Sequence, residues 1–167
     1  MSSLNYKNQL LLTGGLFTLH NIEEAIGFST FVYPHNLPLA IRPQNANAMI
    51  LAIGLITVIV WGIILWANIQ QKETNRKNLL IMLVSVFLAN AIFPHITGTI
   101  FLQRYFPAVI TSIVLYIPYS CWIFPKLYRS YSRHDYFYQI VIGGLLLGSC
   151  IVIILHFFVR IFLQFIV

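Results

Sequence analysis

The chain has 167 residues, one domain's worth, of which 59% are hydrophobic and only 8% charged, with a mean hydropathy of +0.81. Soluble domains carry roughly 25% charged residues, so there is too little charge to cover a water-facing surface. This excludes disorder, a coiled coil, a nucleic-acid module and an ordinary cytosolic enzyme. The net charge of +6 does not point to a nucleic-acid partner, because the basic residues gather at segment ends. Cys121 and Cys150 both lie in apolar runs and read as packing residues. The composition is that of an integral membrane protein.

A spanning helix needs roughly 20 apolar residues. Five stretches meet this, at approximately 8–31, 47–69, 78–101, 106–124 and 137–158, with an apolar tail to Val167. The runs are too long and too unalternating for a barrel, so the expectation is an all-α bundle of five transmembrane helices, residues 1–167 forming a single domain. A loop with Pro34, Pro38 and Pro43 joins the first two spans. The first run continues through His20 and Glu24 without a cleavage site, so it is not read as a signal peptide.

Orientation follows from the basic residues. Lys7, Lys72, Arg76, Lys77, Lys126, Arg129 and Arg133 fall on one side, and Arg42, Arg104 and Arg160 on the other. The positive-inside rule then puts the N-terminus in the cytoplasm and the C-terminus outside, in a multi-pass protein of the cell membrane. The C-terminal side holds only if the tail does not turn back. Trp66, Trp122, Tyr128 and Tyr136 fit an aromatic belt at the cytoplasmic interface.

Ionisable groups at mid-bilayer cost on the order of 2.5–3.5 kcal/mol each, so those kept there mark candidate sites. The first span contains Leu19-His20-Asn21-Ile22-Glu23-Glu24. Spacings of three and four place His20, Glu23 and Glu24 toward one direction, the bundle interior. Two neighbouring carboxylates in a low dielectric cannot both stay ionised uncompensated. A shared proton, a basic partner or a metal would resolve this, and no Lys or Arg lies at comparable depth. At 1.5 Å per residue, Glu24 and His95 both sit about 25 Å from the cytoplasmic ends of their spans, and His156 about 28 Å. His20, Glu23, Glu24 and His95 therefore form a candidate set for Zn²⁺ or Fe²⁺, the spare glutamate serving as general acid/base. Pro94 predicts a kink beside Asn90 and His95, which would point about 140° apart on a straight helix. His156 reads first as an interface histidine and second as a further member of the site. Arg104 either anchors the third span by snorkelling or holds an anionic group. Gly144 and Gly148 form a G-x-x-x-G pair suited to close helix packing.

His20-Asn-Ile-Glu23-Glu24, then Asn90-Ala-Ile-Phe-Pro-His95, then Arg104-Tyr105-Phe106-Pro107 leading to Thr111 and Leu115-Tyr116-Ile117-Pro118, resembles the HXXEE-motif family of small bacterial membrane proteins. The likeness runs through the first four spans. It implies a polytopic membrane protein with enzymatic activity as the expectation and no reaction attached. It also implies that Asn90, His95, Arg104, Tyr105 and Pro107 match family positions. Ala108 departs from it, standing where Gly is implied, and Pro94 is a second departure.

The reading is a small metal-dependent membrane enzyme acting on a lipidic or membrane-partitioned substrate in the outer half of the bilayer. His20 and His95 are ligands, Glu23 and Glu24 divide the ligand and acid/base roles, and Asn90 and Arg104 orient substrate. Hydrolysis is the simplest chemistry, and oxidation at a non-haem iron uses the same ligands. Two rivals stand beside it. One is a proton-coupled transporter, disfavoured by the lack of repeats. The other is a non-catalytic subunit whose polar residues meet a partner's helices.

Overall fold

Five helices follow one another in the computed structural model, which describes residues 5–32, 46–69, 72–131 and 133–164. Side chains 48, 152–153 and 155–164 are outside what is described, as is the proline loop with Arg42. The helices are α1 (Tyr6–Thr30), α2 (Ala46–Ile69), α3 (Glu73–Leu102), α4 (Val109–Arg129) and α5 (His134–Gln164). No strand occurs among the described residues. Three segments, Met49–Ile69, Glu73–Leu102 and Val109–Arg129, are long and apolar enough to cross a membrane.

The ends follow local chemistry. Asn5 caps α1 by accepting from the Asn8 N–H at 3.2 Å. The Arg76 guanidinium donates to the Ala67 and Asn68 carbonyls at 3.2 and 3.0 Å, placing a cation at the end of α2. Helix α3 begins at Glu73 rather than near 78, with an acid in its first turn where the dipole favours one. Helix α4 starts at Val109 rather than 106, because Pro107 and the left-handed Ala108 (φ 64°) precede it. The expected tail after 158 continues α5 to Gln164.

Helix α3 packs against all four others. Leu10, Leu80, Ile81, Val84, Phe87 and Ile123 make the heart of this core. The exterior is apolar, with Val58, Ile100 and Phe101 at 70, 70 and 77% exposure. The interior holds polar groups instead, including Thr13, His20, Asn21, Ser85, His95 and Ser112. Several join α1 to its neighbours: Asn21 donates to Thr57 at 2.6 Å, Trp61 to Thr18 at 2.9 Å, and Thr13 and Tyr119 share a 2.8 Å bond.

The glycine pair in α5 lies against α3. A Cβ on Gly144 would sit 2.6 Å from the Ser85 Cβ and 2.9 Å from the Met82 carbonyl oxygen, while one on Gly143 meets nothing within 4 Å. Gly144→Leu is therefore expected to lower stability by at least the ~1–3 kcal/mol of overpacking, and Gly143→Leu, which replaces an unhindered mid-helix glycine, to raise it by about 0.5–1 kcal/mol. Thermal unfolding in detergent checks both, and equal midpoints would refute the packing account.

Two irregularities position the site. Helix α3 is broken by a kink within Ala91–Ile96, where Phe93 is extended (φ −127°, ψ 119°), the conformation a following proline favours. Beyond α3, Phe106 packs on Gly98, and Pro107 lies so close to α1 that a Cβ on Gly27 would stand 2.7 Å from the Pro107 Cβ. The 103–108 turn is thereby pressed against the last turns of α1 and α3.

Candidate metal centre

The kink at Phe93 cancels the divergence expected of a straight helix and brings Asn90 and His95 to one place. There they meet His20 from α1. The two Nε2 atoms are 3.2 Å apart, and Asn90 Nδ2 is 3.2 Å from each. A Glu24 oxygen lies 3.8 Å from His95 Nε2. One ligand atom from each of His20, Glu24 and His95 falls within 4.8 Å of the others. Both rings are fully buried, and the Glu24 side chain keeps 15% exposure.

The outer face of the His95 ring fixes its proton. His95 Nδ1 is 2.6 Å from the Pro107 carbonyl oxygen, which only accepts, so Nδ1 carries the hydrogen. His20 Nδ1 is 3.0 Å from Thr111 Oγ1, whose own hydrogen goes to the Ala108 carbonyl at 3.2 Å. In that arrangement Thr111 accepts from Nδ1–H and both imidazoles turn an Nε2 lone pair toward the same point; with the Thr111 hydroxyl turned to Nδ1 instead, His20 donates from Nε2 to His95 Nε2. Two lone pairs at that separation repel unless something positive lies between them. The Asn90 amide can donate one hydrogen to each, or, rotated, present Oδ1 to the same place.

Stacking holds the His20 plane. Its ring lies on Tyr116 at 4.4 Å and 19°, Tyr116 on Phe87 at 5.3 Å and 12°, and Phe87 on Phe17 at 4.6 Å and 3°. His95 meets His20 edge-on at 4.7 Å.

The adjacent carboxylates separate. Helix α4 has no side-chain cap of its own, and Glu23 of α1 supplies one. Glu23 accepts from the Ile110 N–H at 3.1 Å, the Thr111 N–H at 2.7 Å and the Tyr105 hydroxyl at 2.9 Å. A negative group there also meets the positive end of the α4 dipole. Glu23, expected to face the interior with His20 and Glu24, instead fastens the residue that accepts from His20. Burial and the bond to Glu23 push the Tyr105 hydroxyl up to about 12, so it remains a donor. Arg104, expected to orient substrate, donates to the Val32 carbonyl and lies over the Phe31 ring at 4.6 Å, closing the end of α1. The His156 side chain is outside the described residues. Thr111, Tyr116 and the Pro107 carbonyl carry no signal of their role in the sequence. Only their place in the third and fourth motif segments marks them.

The profile of a family described as a protein of unknown function with HXXEE motif matches residues 11–123. The chain belongs to the HXXEE family. A Bacillus subtilis (strain 168) protein, described as uncharacterized protein YrkK, is similar to this chain, 26% identical over 111 residues, or 66% of this chain and 69% of its own length. No solved structure matches the chain. The HXXEE match includes His20, Glu23 and Glu24, and extends through Asn90, His95 and Thr111.

Proposed function

We propose that this HXXEE protein is a metal-dependent enzyme of the cell membrane, in which His20, Glu24 and His95 hold one divalent ion, Zn or Fe. The two Nε2 atoms facing each other at 3.2 Å, with a Glu24 oxygen 3.8 Å from one of them, carry this reading. Tetrahedral bonds of about 2.0–2.1 Å put neighbouring ligand atoms about 3.3 Å apart, close to the 3.2 and 3.8 Å separations here. Histidine ligands also characteristically donate their other ring N–H to a carbonyl or oxygen partner, as His95 does to Pro107 and His20 to Thr111. Two imidazoles and a carboxylate suit Zn with an open position, or non-haem Fe.

A divalent ion held there would polarise a substrate oxygen. Glu24 directs one carboxylate oxygen toward His95, and its partial exposure lets the other take a proton from substrate or water. Asn90 orients the group bound between the rings. Hydrolysis is the simplest reaction for this set, with oxidation as the alternative if the ion is iron. Apolar side chains exposed around the site, Ile22, Ile110 and Ile113 among them, support a lipidic or membrane-partitioned substrate. Five crossings with the N-terminus in the cytoplasm are supported by the apolar exterior and by the distribution of Lys and Arg. The site then lies in the outer half of the bilayer.

Elemental analysis of the full chain purified in detergent tests this. The expected result is about one ion per chain, lost in His20→Ala and in His95→Ala variants that keep wild-type helical content. Metal-free wild-type protein would overturn the reading. If substrate flux were then lost in Glu24→Gln, a proton-coupled carrier would replace it.

A further inference from the structure

Buried hydroxyls are ordinarily bonded, and an exception calls for a reason. Tyr116 is 1% exposed, and its hydroxyl finds no partner among the described residues. The sandwich between Phe87 and His20 needs only the ring, so phenylalanine would serve it equally well. The ring that carries the hydroxyl is stacked at 4.4 Å on His20, a member of the candidate centre. The other tyrosine on this part of α4, Tyr119, is bonded to Thr13.

We infer that the Tyr116 hydroxyl is a substrate contact, donating a hydrogen bond to a carbonyl or oxyanion oxygen bound beside His20 and Glu24. This rests on the metal-centre reading. The donor direction follows from the company the hydroxyl keeps. Both Nε2 atoms and the Glu24 carboxylate are acceptors, so an acceptor-bearing ligand entering the centre has few donors to meet besides Asn90 and this phenol. The phenol also narrows the substrate class. A lipid ester, amide or phosphoester offers such an oxygen, whereas a pure hydrocarbon does not.

The full chain in detergent, loaded with Co²⁺ and titrated with azide as the acceptor probe, tests the assignment through its visible absorption bands. Tyr116→Phe is expected to keep the wild-type cobalt spectrum and thermal midpoint while binding azide on the order of 10- to 100-fold more weakly, the range for a hydrogen bond to a charged group. Tyr119→Phe is expected to do the reverse, losing stability and keeping azide affinity. Equal azide affinity in wild type and Tyr116→Phe overturns this inference alone. So does a fall in thermal midpoint for Tyr116→Phe, which would give the hydroxyl to the fold, or a wild-type spectrum that azide does not shift. Absence of cobalt bands in the wild type overturns the metal reading, and this inference with it.

Discussion

Exchange of Glu24 for Gln is expected to abolish binding of the proposed ion while leaving the helices intact, and the same exchange at Glu23 to do nearly the opposite. Glu24 places an oxygen 3.8 Å from His95 Nε2 and, among the described residues, makes no bond that holds a backbone group. Its loss removes a ligand, so affinity for Zn²⁺ is expected to fall further than the roughly 10–100-fold typical of losing an outer partner. At Glu23, a Gln would keep one oxygen and set its NH2 against either the Ile110 or the Thr111 N–H, which the two carboxylate oxygens now accept separately. The cost is about 1–3 kcal/mol of stability. Metal affinity then changes by less than about tenfold, because the effect reaches His20 only through Thr111. Zinc titration and thermal unfolding of the two variants side by side separate the roles. If both lost metal equally and neither lost stability, the division of labour between the two acids would be refuted.

The second large effect is expected at a residue with no side chain. Gly27→Ala puts a methyl 2.7 Å from the Pro107 Cβ and 3.0 Å from its Cα, so backbone must move. Overpacking of this kind costs about 1–3 kcal/mol. The displaced residue carries the carbonyl that takes the His95 Nδ1 hydrogen. Metal affinity is therefore expected to fall by roughly 10–100-fold together with stability, as for other outer-shell losses. Gly15→Ala is the control. Nothing lies within 4 Å of its Cβ position, and removing a mid-helix glycine is expected to add about 0.5–1 kcal/mol. A Gly27→Ala protein that binds zinc as wild type does would show that the turn yields without disturbing the ring.

The five helices were legible because apolar length is written directly in the chain. The meeting of His20, Glu24 and His95 was partly legible, since counting rise per residue put Glu24 and His95 at one depth. What failed was direction. Glu23 and Glu24 are 100° apart on α1, so an arc that includes both still sends them to different neighbours, and sequence spacing does not say which helix stands where. Arg104 reads from sequence as a charge near the site, but its reach is taken by the Val32 carbonyl at the end of α1. For Asn90 and His95 the geometry of a straight helix separated two residues that the kink at Phe93 reunites. Pro94 announced a distortion but not its sense.

His95 is oriented by the peptide oxygen of Pro107, and a peptide oxygen has no codon of its own. No point mutation deletes this tether. It can be lost only when the path of the chain shifts. Among variants that inactivate the protein, damage to this anchor would therefore register as intolerance of bulk at position 27, with no polar residue to blame. A survey confined to charged and hydrogen-bonding side chains would pass over it.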